Sequence, residues 1–226
     1  MRNEAKIGLG ITGCRQACRT IVLDIETVSL EPGDEQGALN AMTGRVVCIG
    51  MLIEENDGIT EMTLAGESEN EIIQDFWAAI KPGDVIVGHN VLDFDIRFLQ
   101  QRSWILDIKP SRTFDARRYY TQEVIDTLQL WTNWTGSKKG VTLDGLALAL
   151  GCGRKTGDGG KVSQWWAERD INSIKKYCRD DVRLTYHVFC RLAYRQAKKI
   201  VLANEEAFAN SMMDATADAV AEVRLT

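Results

Sequence analysis

Apolar residues along this 226-residue chain fall into short β-branched runs before about position 90 and mostly into helically spaced stripes after it. Residues 20–25 (TIVLDI), 46–53 (VVCIGMLI), 60–65 (TEMTLA) and 85–88 (VIVG) have the length, composition and flanking turn residues of strands. The first and fourth are nearly all apolar, which predicts central strands covered on both faces. Residues 69–80 instead set Ile72, Ile73, Phe76, Trp77 and Ile80 at helical spacing, with Ser68 as N-cap and Pro82-Gly83 beyond the end. Three strands joined by hairpins are therefore followed by a strand–helix–strand crossover.

Past residue 90 the pattern predicts a helix from about 92–95 to 102, a short strand near 112–115, and helices near 116–131, 142–150 and 171–199. The last carries Ile174, Cys178, Val182, Thr185 and Phe189 along one stripe. Residues 151–160 hold five glycines in ten, which predicts a mobile loop. Residues 204–222 predict a closing amphipathic helix. The sum is a mixed α/β sheet with helices on its faces, organised as a flexible leader (1–17), one domain (18–202) and an acidic C-terminal helix (203–226).

Composition narrows the class. With 3 Pro and 45% hydrophobic residues the chain is globular rather than disordered. No apolar stretch reaches the roughly 18 residues of a membrane span, and the start lacks a signal-peptide core, so a cytoplasmic location is expected. Six cysteines without a CxxC pair or a zinc spacing are expected to be free, mostly buried thiols. Gly8, Gly10 and Gly13 spell GxGxxG, but a strand rather than a helix follows, so the dinucleotide-binding mechanism cannot operate. Trp165 and Trp166 are read as packing more than as a base-stacking pair. The formal charge of −5 excludes a simple basic nucleic-acid coat.

The candidate chemistry is carboxylate chemistry. Asp24 and Glu26, two apart at the end of the most apolar strand, project from one face. Such a pair repels unless a cation neutralises it, and oxygen donors suit Mg²⁺ and Mn²⁺. A lone DxE is more simply a turn cap beside a solvated glutamate. Asp95 follows the strand at 85–88, at the carboxyl end where ligands collect in α/β sheets; Asp93 is expected to cap the helix there. Tyr177 and Asp181 share a helix face that points inward with Ile174, Cys178 and Val182, while Asp180 points to the surface. An inward aspartate without a partner is costly, whereas Tyr177 alone is an ordinary half-buried aromatic.

In order and context these pieces, Asp24-Ile25-Glu26-Thr27, Asn90 with Phe94-Asp95, and Tyr177 with Asp181, resemble the three motifs of the DEDDy branch of 3′-to-5′ exonucleases. The segments Ile125-Asp126-Thr127-Leu128 and Thr142-Leu143-Asp144 resemble its connecting helices, with Asp126 expected to serve in structural hydrogen bonding. The likeness is greatest to the proofreading exonuclease of family B DNA polymerases and its stand-alone relatives. Lys176 stands where a histidine would mark the DEDDh branch.

The resemblance implies a ribonuclease H-like fold, a five-stranded sheet in order 3-2-1-4-5 with helices on both faces. It also implies a metal-dependent 3′-to-5′ exonuclease acting on single-stranded DNA or RNA ends and releasing nucleoside 5′-monophosphates. Asp24, Glu26, Asp95 and Asp181 would hold two Mg²⁺ or Mn²⁺ ions, Tyr177 would orient the attacking water, and Thr27, Asn90 and Phe94 would contact the terminal nucleotide. Proofreading or DNA repair in trans fits that activity. The alternatives are a catalytically idle nucleic-acid-binding or scaffold module of the same fold, and an RNA-specific exoribonuclease.

The resemblance also changes the meaning of the charge. Glu205, Glu206, Asp214, Asp218 and Glu222 stand against Arg224 in the terminal segment, so residues 1–202 hold 26 basic and 27 acidic groups. Arg112, Arg117, Arg118, Lys138, Lys139, Arg154, Lys155 and Lys161 are expected to face the substrate's approach, giving modest, salt-sensitive and metal-dependent binding.

Overall fold

The computed structural model describes residues 19–55, 58–135, 140–198 and 200. The expected leader (1–17) and C-terminal helix (203–226) lie outside the described residues, as do Lys138 and Lys139. Five strands, β1 (Thr20–Ser29), β2 (Gly44–Glu55), β3 (Gly58–Ala65), β4 (Val85–Gly88) and β5 (Val124–Asp126), form one sheet in the order β3-β2-β1-β4-β5. The first three form an antiparallel meander, and β4 and β5 add in parallel through crossovers.

Alternation along β1 divides the core. Ile21, Leu23 and Ile25 pack beneath α1 (Glu69–Ala79) and α2 (Asp95–Ile105), among Ile73, Phe76, Trp77, Phe98 and Leu99. Val22 turns to the other face, where α6 (Ile171–Leu192) supplies Val182, Tyr186 and Phe189. The expected stripe of α6 is the buried one, and α4 (Leu143–Ala149) packs on its outer side through Leu146 and Ala147 against Leu184 and Val188. Asp24 and Glu26 have the parity of Val22, so β1 presents both toward α6.

Helix starts follow the polar signals. Ser68 accepts from the Glu71 amide at the head of α1, and Asp170 accepts from the Ser173 amide at the head of α6. A buried ion pair binds the two helices on the opposite face. Arg102 donates to both Glu69 oxygens at 2.8 and 2.6 Å and to the Ala41 carbonyl, while Glu69 accepts from the Val46 amide. This ties α1 and α2 to the start of β2 and to the loop that leads into it.

Four sequence expectations change. The fifth strand is Val124–Asp126, inside the segment expected to be helical, and only α3 (Thr127–Thr132) remains as helix there. Val124, Ile125 and Leu128 fit either period, and three β-branched or apolar residues are too few for a strand signal. Residues 112–115 pair with no strand: Arg112 instead donates to the Asp84 carbonyl and lies 4.8 Å over the Phe114 ring. Helix α6 stops at Leu192 because Tyr194 takes a left-handed conformation and the Lys198 amide donates back to the Tyr186 hydroxyl. The N-cap of α2 is Phe94, without a side-chain cap bond, rather than Asp93.

One glycine sets how closely α6 meets the sheet. Gly50 pairs with Asp24 across β1 and β2, and a Cβ there would lie 2.8 Å from both Cys178 Sγ and Val182 Cγ2. Gly50→Ala should therefore overpack this contact and destabilise the protein by about 1–3 kcal/mol. Thermal unfolding should show the loss as a Tm lower by roughly 2–4 °C per kcal/mol.

Candidate active site

The site forms where the parallel strands end. On the β4 side, β1 pairs only from Thr20 to Val22, so the Ile25 amide extends past the ladder and needs another acceptor. Asp95 supplies it: its Oδ1 accepts from Ile25 N at 3.0 Å. That bond places the Asp95 carboxylate beside the stretch that presents Asp24 and Glu26.

The turn that delivers Asp95 is held by a second carboxylate. Asp126 is completely buried and accepts from the amides of Asn90 (3.0 Å), Leu92 (3.2 Å), Leu128 (2.9 Å) and Gln129 (3.3 Å). Four peptide donors let an unpaired carboxylate stand inside the protein without a cation, the structural hydrogen bonding expected of it. Asn90 has a φ of 63°, a left-handed conformation that asparagine tolerates better than most residues. Gly88 is required before it, since a Cβ there would meet Val91 at 2.5 Å.

Helix α6 closes the site from the other face with Tyr177, Cys178 and Asp181 turned inward, all buried. The glycine-rich segment does not stand free of the body. Gly157 and Gly159 lie against Tyr177, where a Cβ would meet its ring at 2.9 Å and its hydroxyl at 3.3 Å. The same segment sends Lys155 inward, with Nζ 2.6 Å from Asp181 Oδ2 and 5.1 Å from the Tyr177 ring centre. Trp165, on α5 (Val162–Ala167), packs 5.9 Å from Tyr177, and Trp166 lies under the Arg45 guanidinium, so packing accounts for both indoles. A cavity of about 390 Å³ results, lined among others by Asp24, Glu26, Thr27, Asn90, Phe94, Asp95, Lys155, Tyr177 and Asp181.

Electrostatics make this cavity unstable as an assembly of anions. Burial and the neighbouring Asp181 push Asp24 up to about 7. Burial first and Asp24 second hold both Glu26 and Asp95 well above the carboxylate range. Burial also raises Asp181 against the opposing pull of Lys155. Burial works against the Lys155 charge, but Asp181 overrides it and keeps the ammonium protonated. Burial raises the Tyr177 phenol despite its Lys155 hydrogen bond, so it keeps its proton. One lysine cannot balance four carboxylates. Asp181 Oδ1 is buried with no partner, and an oxygen-rich donor set around it fits a hard divalent cation.

Lys155 is the site residue that sequence reasoning passed over, since it appeared only among eight basic residues. Its signal is charge accounting: an inward Asp181 requires a cation, and a flexible loop nearby carries one. Three of the other basic residues are paired elsewhere, and Lys138 and Lys139 lie outside the described residues. Arg154 pairs with Asp144, Arg117 with Asp115, and Arg112 with Glu123 at the opposite end of β4 and β5. Thr27 lines the cavity, but its hydroxyl donates to the Ala38 carbonyl at 2.6 Å. Phe94 lies 5.5 Å from the Phe98 ring. Cys48, Cys152, Cys178 and Cys190 are free thiols, and among the described residues no helix is long and apolar enough to cross a membrane.

Comparison with known proteins places the chain in a family and supports its fold. The profile of a family described as a predicted 3′–5′ exonuclease related to the exonuclease domain of PolB matches residues 38–222, a stretch that begins after Asp24 and Glu26. Curated protein sequences yield no match. Among solved structures, the family B DNA polymerase from the hyperthermophilic archaeon Pyrobaculum calidifontis is similar over 78% of this chain, with 22% identity and a TM-score of 0.60. The chain spans 25% of that polymerase chain. The strand order and this likeness make the fold ribonuclease H-like.

A carboxyl raised by burial is protonated in the metal-free fold, and losing that proton as pH rises through about 7 places charge in the cavity. For Asp24 this disfavours the metal-free fold progressively between its unfolded value and about 7, and a bound cation removes the burden. His89, lowered by burial to about 4, acts in the opposite sense below its ordinary value, so the metal-induced increment is the proper readout. The gain in Tm on adding Mn²⁺ should grow between about pH 5.5 and 8, with affinity tightening by up to about tenfold per pH unit for each proton displaced. An increment independent of pH would contradict these raised carboxyls.

Proposed function

The chain belongs to the family of predicted 3′–5′ exonucleases related to the exonuclease domain of PolB, and on that premise we propose that it trims single-stranded 3′ ends by metal-assisted hydrolysis. The observation that carries this reading is the convergence of Asp24, Glu26, Asp95 and Asp181 with Tyr177 in one cavity, together with the unpartnered Asp181 Oδ1. Water adds to the terminal phosphorus, the bond to the preceding 3′ oxygen breaks, and the products are a nucleoside 5′-monophosphate and a strand one residue shorter.

The four carboxylates would hold two Mg²⁺ or Mn²⁺ ions. Bound there, such ions activate water and stabilise the leaving oxygen. The protein's own groups do the rest. Tyr177, with its phenol above the ordinary range, keeps its proton and orients the attacking water instead of deprotonating it. Lys155, paired with Asp181, supplies a fixed positive charge beside the reacting phosphate. Asn90, its backbone amide held by Asp126, lines the cavity, and Phe94, beside Phe98, offers a ring face to the terminal base. Thr27, tied to Ala38, contributes the shape of the backbone at the 3′ end more than a free hydroxyl. At about 390 Å³ the cavity is of small-ligand size, suited to one frayed nucleotide rather than a duplex end.

The test is degradation of matched single-stranded DNA, RNA and duplex oligonucleotides carrying 5′ or 3′ labels. With Mg²⁺ or Mn²⁺, a 5′-labelled single strand should shorten one residue at a time. Asp24→Ala and Asp181→Ala should each lose more than about a hundredfold, the scale of losing one charge stabiliser of a transition state. Tyr177→Phe keeps the ring packing and should lose up to about a hundredfold in kcat, the scale of misorienting a reacting group. Unchanged turnover in both aspartate variants, or tight binding without shortening in any divalent metal, would overturn the exonuclease reading. The second outcome would leave an idle binding module.

A further inference from the structure

We infer that Cys178 makes this site a trap for thiophilic divalent ions: Zn²⁺ or Cd²⁺ is held by the Cys178 thiolate together with Asp24 and Glu26, and from there blocks hydrolysis. Only the inhibitory half rests on the exonuclease reading; the binding half stands on geometry.

Cys178 follows Tyr177 on α6 and is fully buried. Its Sγ lies 3.5 Å from the Asp24 carbonyl oxygen and 3.8 Å from Asp24 Oδ2. One ligand atom each from Asp24, Glu26 and Cys178 fall within 4.8 Å of one another. For a tetrahedral zinc with Zn–S about 2.3 Å and Zn–O about 2.0–2.2 Å, sulfur and oxygen stand roughly 3.5–3.7 Å apart, close to the spacing already present. A second, independent feature points to a cation: Asp181 is 3% exposed, and its Oδ1 has no hydrogen-bond partner. The sulfur can sit so near the carboxylates because Gly50, opposite Asp24, leaves room for it.

The donor set decides the metal. Two carboxylates alone serve Mg²⁺, which demands oxygen and gains nothing from sulfur, whereas a thiolate shifts preference toward Zn²⁺ and Cd²⁺. On binding, the S–H bond breaks, the proton leaves to solvent and the sulfur–metal bond forms. An ion held on sulfur then engages Asp24 and Glu26 in a geometry other than the one Mg²⁺ requires. Cys48, also buried and beside Cys178, is outside this set and is the internal control.

The experiment titrates reduced, metal-free full-length protein with Cd²⁺ and follows the cadmium–thiolate charge-transfer absorption in the ultraviolet. Cys178→Ser should remove one thiolate's worth of absorption relative to the unmodified protein. Asp24→Ala, which keeps every cysteine, should weaken the same component, and Cys48→Ser should retain it. In parallel, the Cd²⁺ or Zn²⁺ concentration that halves the Mg²⁺-supported degradation rate should rise at least tenfold in Cys178→Ser, each variant measured against its own rate. Equal absorption in Cys178→Ser, or absorption lost with Cys48 instead, would overturn the inference. Cys178-dependent absorption in a protein that never shortens oligonucleotides would support the trap and sink the exonuclease reading. Degradation with Cd²⁺ inhibition indifferent to Cys178 would do the reverse.

Discussion

Four carboxylates crowded around one cavity, three of them buried and Asp24 half-buried, are the constraint around which this fold is arranged. Asp24, Glu26, Asp95 and Asp181 each carry a desolvation burden, and each raises the cost of ionising its neighbours. An isolated cluster of this kind would relax by rotating its side chains apart. Here relaxation is blocked from three directions. β1 fixes Asp24 and Glu26 on one face, α6 fixes Asp181 by close packing at Gly50, and Asp95 is locked to the Ile25 amide. Among the described residues, proton uptake and the ammonium of Lys155 are the responses seen in the metal-free protein.

The rigidity comes from groups that touch no reacting atom. The ladder between β1 and β4 ends early, which frees a backbone amide for Asp95. Asp126 converts the chain's passage out of β4 into a defined turn, and the Arg102–Glu69 pair secures the helices beneath. Both carboxylates are buried and both are satisfied, Asp126 by peptides and Glu69 by a guanidinium and the Val46 amide. Asp181 differs from both, since one of its oxygens has no hydrogen-bond partner.

Much of this was legible in the sequence, for physical reasons. Long periodic segments such as residues 69–80 and the stripe of α6 announce themselves because burying one face imposes a period. The grouping of the carboxylates was legible through the resemblance of Asp24-Ile25-Glu26, Asp95 and Asp181 to one set of motifs, and these residues line one cavity. The short strand β5 was not, because its three residues run directly into α3 and Asp126 serves both elements. Lys155 was hidden for another reason: a glycine-rich loop has no period, so its direction is set only by tertiary contacts with Tyr177 and Asp181. The end of α6 likewise depends on a contact between Tyr186 and the Lys198 amide that no local pattern encodes.

Asp126 has a consequence for how such a protein can change over time. All four of its hydrogen bonds go to peptide N–H groups, which every residue except proline possesses. The path of the chain from Asn90 to Asp95 is thus anchored by groups that mutation rarely alters. Side chains along that path other than Asn90 and Asp95 can be exchanged without removing these hydrogen bonds. The wall of the cavity is free to drift while its frame is inherited unchanged.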